Sequence, residues 1–346
     1  MLYLTTRDKF DAYTKAHPLK GSRANNGGFY VPFKMPEFQG DQLLELKNKS
    51  ISQTIADVLN LFFHTDLCSW DVEFAIGRYP LHLTVLNQRM IIAELWRNTE
   101  GTYAKLEKAM SNALHADDGE GNVPEWVRIA VRVGVLIACY GEMLRMDVLQ
   151  LNQSFDVSTA TGDMTSVMAA WYARQMGLPV NNIICGCNEN SVFWNLLHLG
   201  EFAADVSTVS TITPLVDIAV PEAMERLICA TLGVDEALHY CDVVAAGGVY
   251  APPEGFLETL RDGLYGAVVS GSRLKDLIPS VYRTVGYVLG PYTALAYGAL
   301  QDYRAKTGQS APALLLSDRS PLCDARMVAS AMDITETELN RLLSQV

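Results

Sequence analysis

The sequence has no cluster of basic residues, and its 27 Lys and Arg are outnumbered by 39 Asp and Glu, for a formal net charge of −12 over 346 residues. A partner with a phosphate backbone needs a basic surface that releases counterions, so nucleic acid is an unfavourable ligand. Charged residues are only 19% and apolar residues 49% of the chain, which excludes a mostly disordered protein. The length suits two domains or one large α/β unit.

Long apolar runs and paired cysteine motifs are also missing. No run is long enough to span a bilayer, and residues 1–8 read MLYLTTRD without the apolar core of a secretory signal. The seven cysteines form no repeating framework, and Cys185 and Cys187 make a C-x-C rather than the C-x-x-C of redox and zinc sites. We therefore expect a cytoplasmic protein with reduced thiols, no metal site and no membrane partner.

The first part of the chain has mainly helical patterns. Apolar residues fall at helical spacing over 41–63, and most of the first ninety residues are expected to be helical. A short strand is predicted at 91–96. The following segments are predicted to be a helix over 103–114, an acidic surface loop over 115–124 and a long helix over 125–149.

The middle of the chain has the alternation of a βαβ unit. A strand is predicted over 154–159, followed by a glycine-containing turn over 160–165 and a helix over 166–176 that is closed by glycine. A second strand over 182–187 and a second helix over 191–199 follow. A further strand is predicted at 313–317 and a helical tail at 325–346, with Thr335 and Glu338 as a capping box. This order predicts an α/β fold with a parallel sheet flanked by helices.

One candidate site is the turn that leads into the helix at 166. Ligands of parallel sheets lie beyond the carboxyl ends of the strands, and a turn entering a helix offers backbone amides that suit a phosphate. Gly162, Thr165 and Ser166 lie in this turn. Alternatively, its polar residues only cap the helix, since the carboxylate of Asp163 would repel an anion.

Two other strand ends carry polar residues. Asn188 follows the second strand of the unit, where it equally suits a cap for the helix beyond it. Ser317 and Asp318 end the last predicted strand. They could meet a ring nitrogen or hydroxyl of a ligand, or simply form the exit from the strand.

The sequence resembles the threonine synthase family, carbon–oxygen lyases that use pyridoxal phosphate (PLP) to convert O-phosphohomoserine to threonine. The strongest part is 155–190, which resembles the family's V-S-V-P-T-G-N-F-G-D and A-T-N-x-N motifs. Shorter motifs of the family, which extend the resemblance over most of the chain, are matched at 1–7, 26–38, 213–227, 290–294 and 317–321.

This resemblance implies the tryptophan synthase β-like fold, known as fold type II of PLP enzymes. It implies an N-terminal region over 1–93, resembling the helical extension of threonine synthase, and a truncated α/β domain over 94–346, resembling the large PLP-binding lobe. It also makes PLP a possible cofactor, with contacts at Gly162, Asp163, Thr165, Ser166, Asn188, Ser317 and Asp318.

The residues that carry the family's chemistry are not matched. The position of the lysine that bonds to PLP holds Tyr103 if one gap is allowed and Ala104 if none is; Lys105 is a nearby weak candidate. The S-G-D-T-G loop and about three βα units are absent between 114 and 125, so we expect the smaller lobe to be largely missing. The phosphate loop has gained Asp163, and Tyr292 stands at a histidine position.

These departures favour a threonine synthase-like protein that has lost PLP catalysis and serves as a binding or assembly protein. The exposed surfaces left by the missing lobe predict a homodimer or a protein partner that covers them. One alternative is an active PLP enzyme using a displaced lysine such as Lys105. Another is a sensor of phosphate or a phosphorylated amino acid, which would use the turn at 162–166 without covalent chemistry.

Overall fold

A computed structural model describes residues 1–38, 41–76, 81–94 and 103–344. The N-terminal part consists of a small antiparallel sheet in the order β2-β1-β3, followed by three helices. These elements are β1 (Leu2–Thr5), β2 (Asp8–Thr14), β3 (Tyr30–Pro32), α1 (Asp41–Glu45), α2 (Ile51–Phe63) and α3 (Ser69–Ile76).

The prediction of a mostly helical N-terminal segment is wrong for the residues before 41, which form the small sheet. β1 and β2 form a tight hairpin that pairs Thr5 with Asp8, whereas β3 pairs with β1 across some twenty-five residues, which local periodicity does not reveal. Tyr3 is fully buried in β1. Its hydroxyl donates to the carbonyl of Phe62 at 2.7 Å and accepts from the indole Nε1 of Trp126 at 3.2 Å, which joins β1 to α2 and to the long helix of the domain.

The main domain contains one six-stranded sheet in the order β10-β7-β6-β11-β5-β4. All neighbouring strands are parallel except β4 and β5, which form an antiparallel hairpin at one edge. Its strands are β4 (His82–Asn87), β5 (Met90–Glu94), β6 (Phe155–Ala160), β7 (Val180–Cys187), β10 (Leu264–Val268) and β11 (Ala313–Ser317). The α/β fold with a mainly parallel sheet is therefore confirmed.

Helices cover both faces of this sheet, and a short two-stranded ribbon, β8 (Phe202–Ala203) with β9 (Val249–Tyr250), lies outside it. The helices up to the ribbon are α4 (Tyr103–Ala113), α5 (Glu125–Arg145), α6 (Thr165–Gln175), α7 (Val192–Leu199), α8 (Met224–Leu232) and α9 (Val234–Ala245). Those after it are α10 (Phe256–Arg261), α11 (Gly271–Val285), α12 (Pro291–Thr307), α13 (Ala325–Met332) and α14 (Glu336–Leu343).

Two apolar cores form on the two faces of the sheet. The larger one contains α2, α5, α6 and the N-terminal sheet, and the other contains α11 to α14. The approach of α12 to β7 is close enough that a Cβ on Gly186 would lie 2.7 Å from the carbonyl carbon and oxygen of Leu295. None of the described helices is long and apolar enough to cross a membrane.

Most predicted elements of the main domain are present with small shifts of their ends. The predicted strand at 91–96 is β5, although residues 95 and 96 lie outside the described residues. The helix predicted over 125–149 ends at Arg145, and the tail predicted as one helix is divided into α13 and α14. The break is at Asp333, whose φ of 55° ends α13, and the Thr335–Glu338 capping box then starts α14.

Two features bear on the expected domain organisation. Residues 114–124 connect α4 directly to α5, so this fully described stretch contains no further sheet. The expected boundary between residues 93 and 94 falls within β5, whose five residues all pair with β11. The hairpin β4–β5, assigned from sequence to the N-terminal region, thus belongs to the main sheet.

Candidate functional site

A pocket of about 410 Å³ lies at the carboxyl ends of β6 and β11. Its wall comes from α4, α5, the turn after β6, a short 3-10 turn at Pro214–Val216, the start of α12 and the exit of β11. The lining residues are Tyr103, Ala104, Arg132, Ala160, Thr161, Gly162, Asp163, Ser166, Leu215, Val216, Ile218, Tyr292, Asp318 and Arg319. The pocket therefore occupies the position at which parallel α/β sheets bind ligands.

The turn between β6 and α6 forms one side of the pocket. Gly162 has a φ of +49° and Met164 a φ of +65°, and the left-handed conformation at the buried Met164 turns the chain sharply into α6. The carboxylate of Asp163 accepts a hydrogen bond from the backbone amide of Thr165 at 3.0 Å. This amide belongs to the first residue of α6, so the acidic side chain itself occupies the helix start.

Arg128 and Arg132 on α5 are one turn apart and reach the same side of the pocket. Arg128 forms an ion pair with Asp163 at 3.0 Å. Burial raises the pKa of Asp163, but Arg132, Arg128 and the hydrogen bonds from Thr165 outweigh that effect and bring it below its ordinary value. Asp163 is therefore ionised and contributes a negative charge to the pocket.

Arg132 is held by three contacts. Its Nε donates to Glu107 at 2.6 Å and its Nη1 to the hydroxyl of Ser166 at 2.7 Å. Its guanidinium carbon lies 4.6 Å from the centre of the Tyr103 ring, a cation–π distance. These contacts fix the guanidinium at the wall between α4, α5 and α6.

Asp318 lies at the exit of β11 and lines the same pocket as Arg132. Its backbone carbonyl accepts the amide of Tyr103 at 3.0 Å, which attaches the first residue of α4 to the end of the strand. Burial raises the pKa of the Asp318 carboxyl; Arg132 acts in the opposite direction, while Asp163 and Glu107 raise it further. The net effect is a pKa above the ordinary value of an aspartate.

The apolar part of the wall contains Ala160, Leu215, Val216, Ile218 and the ring of Tyr292. Burial raises the pKa of Tyr292 to about 12, so its hydroxyl is neutral at physiological pH. That hydroxyl accepts from the amide of Leu215 at 3.4 Å. The guanidinium of Arg319, held by Asp324 at 2.9 Å, lies 5.9 Å from the ring.

The structure places the residues at the family's lysine position at the start of α4. Residues 95–102, which include most of the stretch matched to the lysine motif, lie outside the described residues. Tyr103 is 3% exposed and Ala104 lines the pocket, whereas Lys105 is solvent-exposed and is not among the lining residues. None of the chain's lysines, all of which are described, lines this pocket.

Three other candidates lie near the pocket but outside its lining. Thr165 is buried at the start of α6. Asn188 donates through its amide to Asp217 at 2.7 Å and accepts from the amide of Asn190 at 2.9 Å, so it cross-links loops and does not cap α7. The hydroxyl of Ser317 accepts from Thr293 at 2.8 Å. Gly162, Asp163, Ser166 and Asp318, in contrast, come together around the pocket.

Sequence reasoning missed the contribution of α5 and of the 214–218 segment. Arg132 was not a candidate because it is far in sequence from every strand end. Two arginines at i and i+4 in the mainly apolar first half of α5 were the available signal, since such residues are rarely buried without a partner.

PLP, the cofactor that the resemblance implies, needs particular groups around it, and this pocket does not supply them. A covalently held PLP requires a lysine amine, and none lines the pocket. Its phosphate requires free amides at a helix start, where the carboxylate of Asp163 already accepts from Thr165. The residues of this pocket do not fit PLP bound in that manner.

Comparisons with known proteins identify relatives over part of the chain. The family model for the threonine synthase N terminus matches residues 2–78. The human protein "Threonine synthase-like 1" is 24% identical over 189 residues, which are 54% of this chain and 25% of that protein. Threonine synthase of Schizosaccharomyces pombe is 24% identical over 202 residues, 51% of this chain and 38% of that enzyme. The matched segments thus span well under half of these relatives.

Solved structures extend the likeness of the fold to nearly the whole chain. PLP-bound threonine synthase from Brucella melitensis has a TM-score of 0.83 at 18% identity, covering 99% of this chain and 94% of that one. Threonine synthase from yeast has a TM-score of 0.80 at 16% identity, with the same coverage. At such low identity these matches show the fold, which is that of the type II PLP enzymes. Together with the N-terminal sequence match, they show that this chain is similar to threonine synthases in its N-terminal sequence and in its fold.

Proposed function

We propose that this protein is a threonine synthase homologue that no longer performs PLP catalysis and instead binds a small molecule, without reacting with it, in the pocket between β6 and β11. The observation that carries the proposal is the wall formed by Tyr103 and Arg132. A buried aromatic ring under a guanidinium occupies the start of α4, and no lysine lines the pocket.

The chemistry of PLP enzymes explains why this wall matters. PLP supplies an electron sink for carbanions, but the protein must hold it through an amine, move protons and close the site. Successive residues of a helix point in directions that differ by roughly 100°. Lys105 therefore points away from the pocket that Ala104 lines, in agreement with its exposure to solvent.

The pocket itself is retained, which favours binding over loss of all function. Its volume of about 410 Å³ lies within the usual range for small-molecule sites, roughly 300–1,000 Å³. Polar and apolar side chains converge on it, and Arg132 and Asp163 are fixed by ion pairs. The sensor of phosphate that the sequence offered as an alternative is less favourable, because the carboxylates of Asp163 and Asp318 would face the anion.

The test is an absorbance spectrum of the purified protein with added PLP, followed by borohydride reduction and mass spectrometry of the peptides. We expect no visible band of a PLP–lysine adduct. Any slow labelling should be equal in the wild type and in Lys105→Ala and Lys108→Ala, two matched changes on α4. A stoichiometric adduct that Lys105→Ala alone removes, together with formation of threonine from O-phosphohomoserine, would overturn the proposal.

The expected homodimer or protein partner is a separate proposal. Trp70 and Phe74 are one turn apart on α3 and are 77% and 93% exposed, and large exposed apolar side chains of this kind favour association. Sedimentation velocity should give a dimer that the double change Trp70→Ser/Phe74→Ser converts to a monomer. A wild-type monomer at all accessible concentrations, with no copurifying partner, would contradict it.

A further inference from the structure

The charges around the pocket are unevenly paired. Arg132 is paired with Glu107 at 2.6 Å, and Arg128 with Asp163 at 3.0 Å and with Glu222 at 2.7 Å. On the other side, Arg319 is paired with Asp324 at 2.9 Å. Each of these three described arginines thus already has a carboxylate partner.

Asp318 is a carboxylate of the pocket that is not part of these ion pairs. Within the described ranges, no basic side chain forms an ion pair with it, although it lines the same pocket as Arg132. Asp318 is partly buried. A carboxylate that loses part of its hydration costs free energy, and the usual compensation is a cation or several hydrogen-bond donors. Among the residues that the structure describes, the pocket therefore contains a negative group without an ion-pair partner.

The surroundings of Asp318 suit a cation with an apolar body better than an anion. Asp163, on the turn across the pocket, is ionised and is a second negative group. Tyr292 and the aliphatic side chains of Val216 and Ile218 line the same pocket. The faces of aromatic rings also attract cations, so the electrostatic and apolar parts of the wall favour the same kind of ligand.

We propose that the pocket binds a small primary amine in its protonated form, with the ammonium group on the carboxylate of Asp318 and the carbon skeleton against Val216, Ile218 and Tyr292. This inference rests on the proposed function, because PLP held covalently would fill the same space. It goes beyond that function by assigning the chemical class of the ligand and the residue that selects it.

The experiment compares amines with alcohols of the same shape. Propylamine, benzylamine and tryptamine are titrated by calorimetry at neutral pH against 1-propanol, benzyl alcohol and tryptophol, with inorganic phosphate as the anionic probe. We expect at least one amine to bind about tenfold or more tightly than its matched alcohol, since a charge-assisted hydrogen bond to the partly buried carboxylate of Asp318 is lost in the alcohol. Phosphate is expected not to bind.

Two variants separate the role of Asp318 from a general effect of charge. Asp318→Asn keeps the shape of the side chain and removes its charge, and the affinity for the amine should fall about tenfold. Asp302→Asn makes the same change at a partly exposed residue of α12 that is paired with Arg273, away from the pocket, and should leave the affinity unchanged. Circular dichroism confirms that both variants are folded.

Each other result overturns the inference. Equal binding of amine and alcohol, binding unchanged by Asp318→Asn, tighter binding of phosphate than of any amine, or no binding of all three amines to the folded protein would each do so. The PLP reduction experiment distinguishes this failure from that of the proposed function. If the amines do not bind and no lysine adduct forms, only the assignment of the ligand is wrong; an adduct on Lys105 removes both.

Discussion

Tyr103 lies beneath the guanidinium of Arg132, with the ring centre 4.6 Å from the guanidinium carbon. The two residues come from α4 and α5, which the connector 114–124 joins directly. Since Arg132 is also bound to Glu107 of α4 at 2.6 Å, the direct packing of these helices fills a side of the pocket with a fixed ring and cation. The relationship explains how the pocket can be well formed while offering no amine.

The first prediction concerns the stability cost of Asp318. The pKa of its carboxyl is raised above 3.8 by burial, with Arg132 opposing and Asp163 and Glu107 adding to the shift. A raised pKa in the folded state means that stability is greatest below pH 3.8 and decreases as pH rises through the folded-state pKa. Asp318→Asn should therefore be more stable than wild type at neutral pH, with a free energy of unfolding higher by on the order of 1 kcal/mol and a higher unfolding temperature.

The difference between Asp318→Asn and wild type should shrink as the pH is lowered towards 4. Thermal unfolding followed by circular dichroism at several pH values measures it directly. A variant that is less stable than wild type at neutral pH would show that hydrogen-bond donors stabilise the carboxylate. It would contradict the expectation that the ionised Asp318 destabilises the fold.

The second prediction is that a lysine adduct can be restored. Ala104 lines the pocket and is solvent-exposed. The carboxylate of Asp163 accepts a hydrogen bond from the amide of Thr165 at the start of α6. The double change Ala104→Lys/Asp163→Gly should give a borohydride-trapped PLP adduct at position 104, several-fold above the labelling of wild type. Mass spectrometry locates the adduct, and Lys108→Ala in the same background is the control for surface labelling.

The third prediction concerns the buried ion pair between Arg226 of α8 and Glu125 of α5. Both side chains are at most 1% exposed, and Nε of Arg226 donates to Glu125 at 3.0 Å. Arg226→Met should lower the free energy of unfolding by about 3–5 kcal/mol, because Glu125 is left buried without its partner. Urea denaturation measures the change.

Arg273→Met is the matched control for the buried pair. Arg273 and Asp302 form an ion pair at 2.7 Å with about a third of each side chain exposed, and such pairs contribute at most about 1 kcal/mol. Similar losses in both variants would mean that burial adds nothing to the role of Arg226.

The fourth prediction tests the close approach of α12 to β7. In Gly186→Ala the new Cβ would lie 2.7 Å from the backbone of Leu295, and relieving this contact requires moving a helix. We expect a loss of about 2–3 kcal/mol. Gly134→Ala on α5, whose nearest contact would be 3.4 Å from Ile55, should be neutral or slightly stabilising because alanine favours helices.

The central part of the fold follows from local sequence patterns. The strand predicted at 154–159 is Phe155–Ala160, and the helix predicted at 166–176 is Thr165–Gln175. Apolar runs, helical spacing and terminal glycines act over a few residues, so they locate such elements well. In the N-terminal sheet, the pairing of β3 with β1 joins Thr5 to Tyr30 across a long stretch of chain, and no local pattern predicts it. The hairpin of β1 and β2 is local, as at Thr5 and Asp8, but was not predicted from the apolar pattern.

The candidate site divides in the same way. Gly162, Asp163, Ser166 and Asp318 were candidates because each follows a strand, and the topology brings them to one edge of the sheet. Their role in binding stays a prediction. Asn188 was a candidate on the same ground, but its side chain is directed to Asp217, a contact across a loop that no local pattern reveals.

The sequence alone determined which chemical groups this protein possesses: no lysine at 95–104, an acidic residue in the turn after β6 and an aspartate at the end of β11. Only the tertiary structure decided how they act together. Arg132, Ser166 and Asp318 are far apart in the chain, and their pairing depends on how α5 packs against the sheet edge. Such packing sums many small contacts between distant residues, so the meeting of Arg132, Ser166 and Asp318 around one pocket could be found only in the folded molecule.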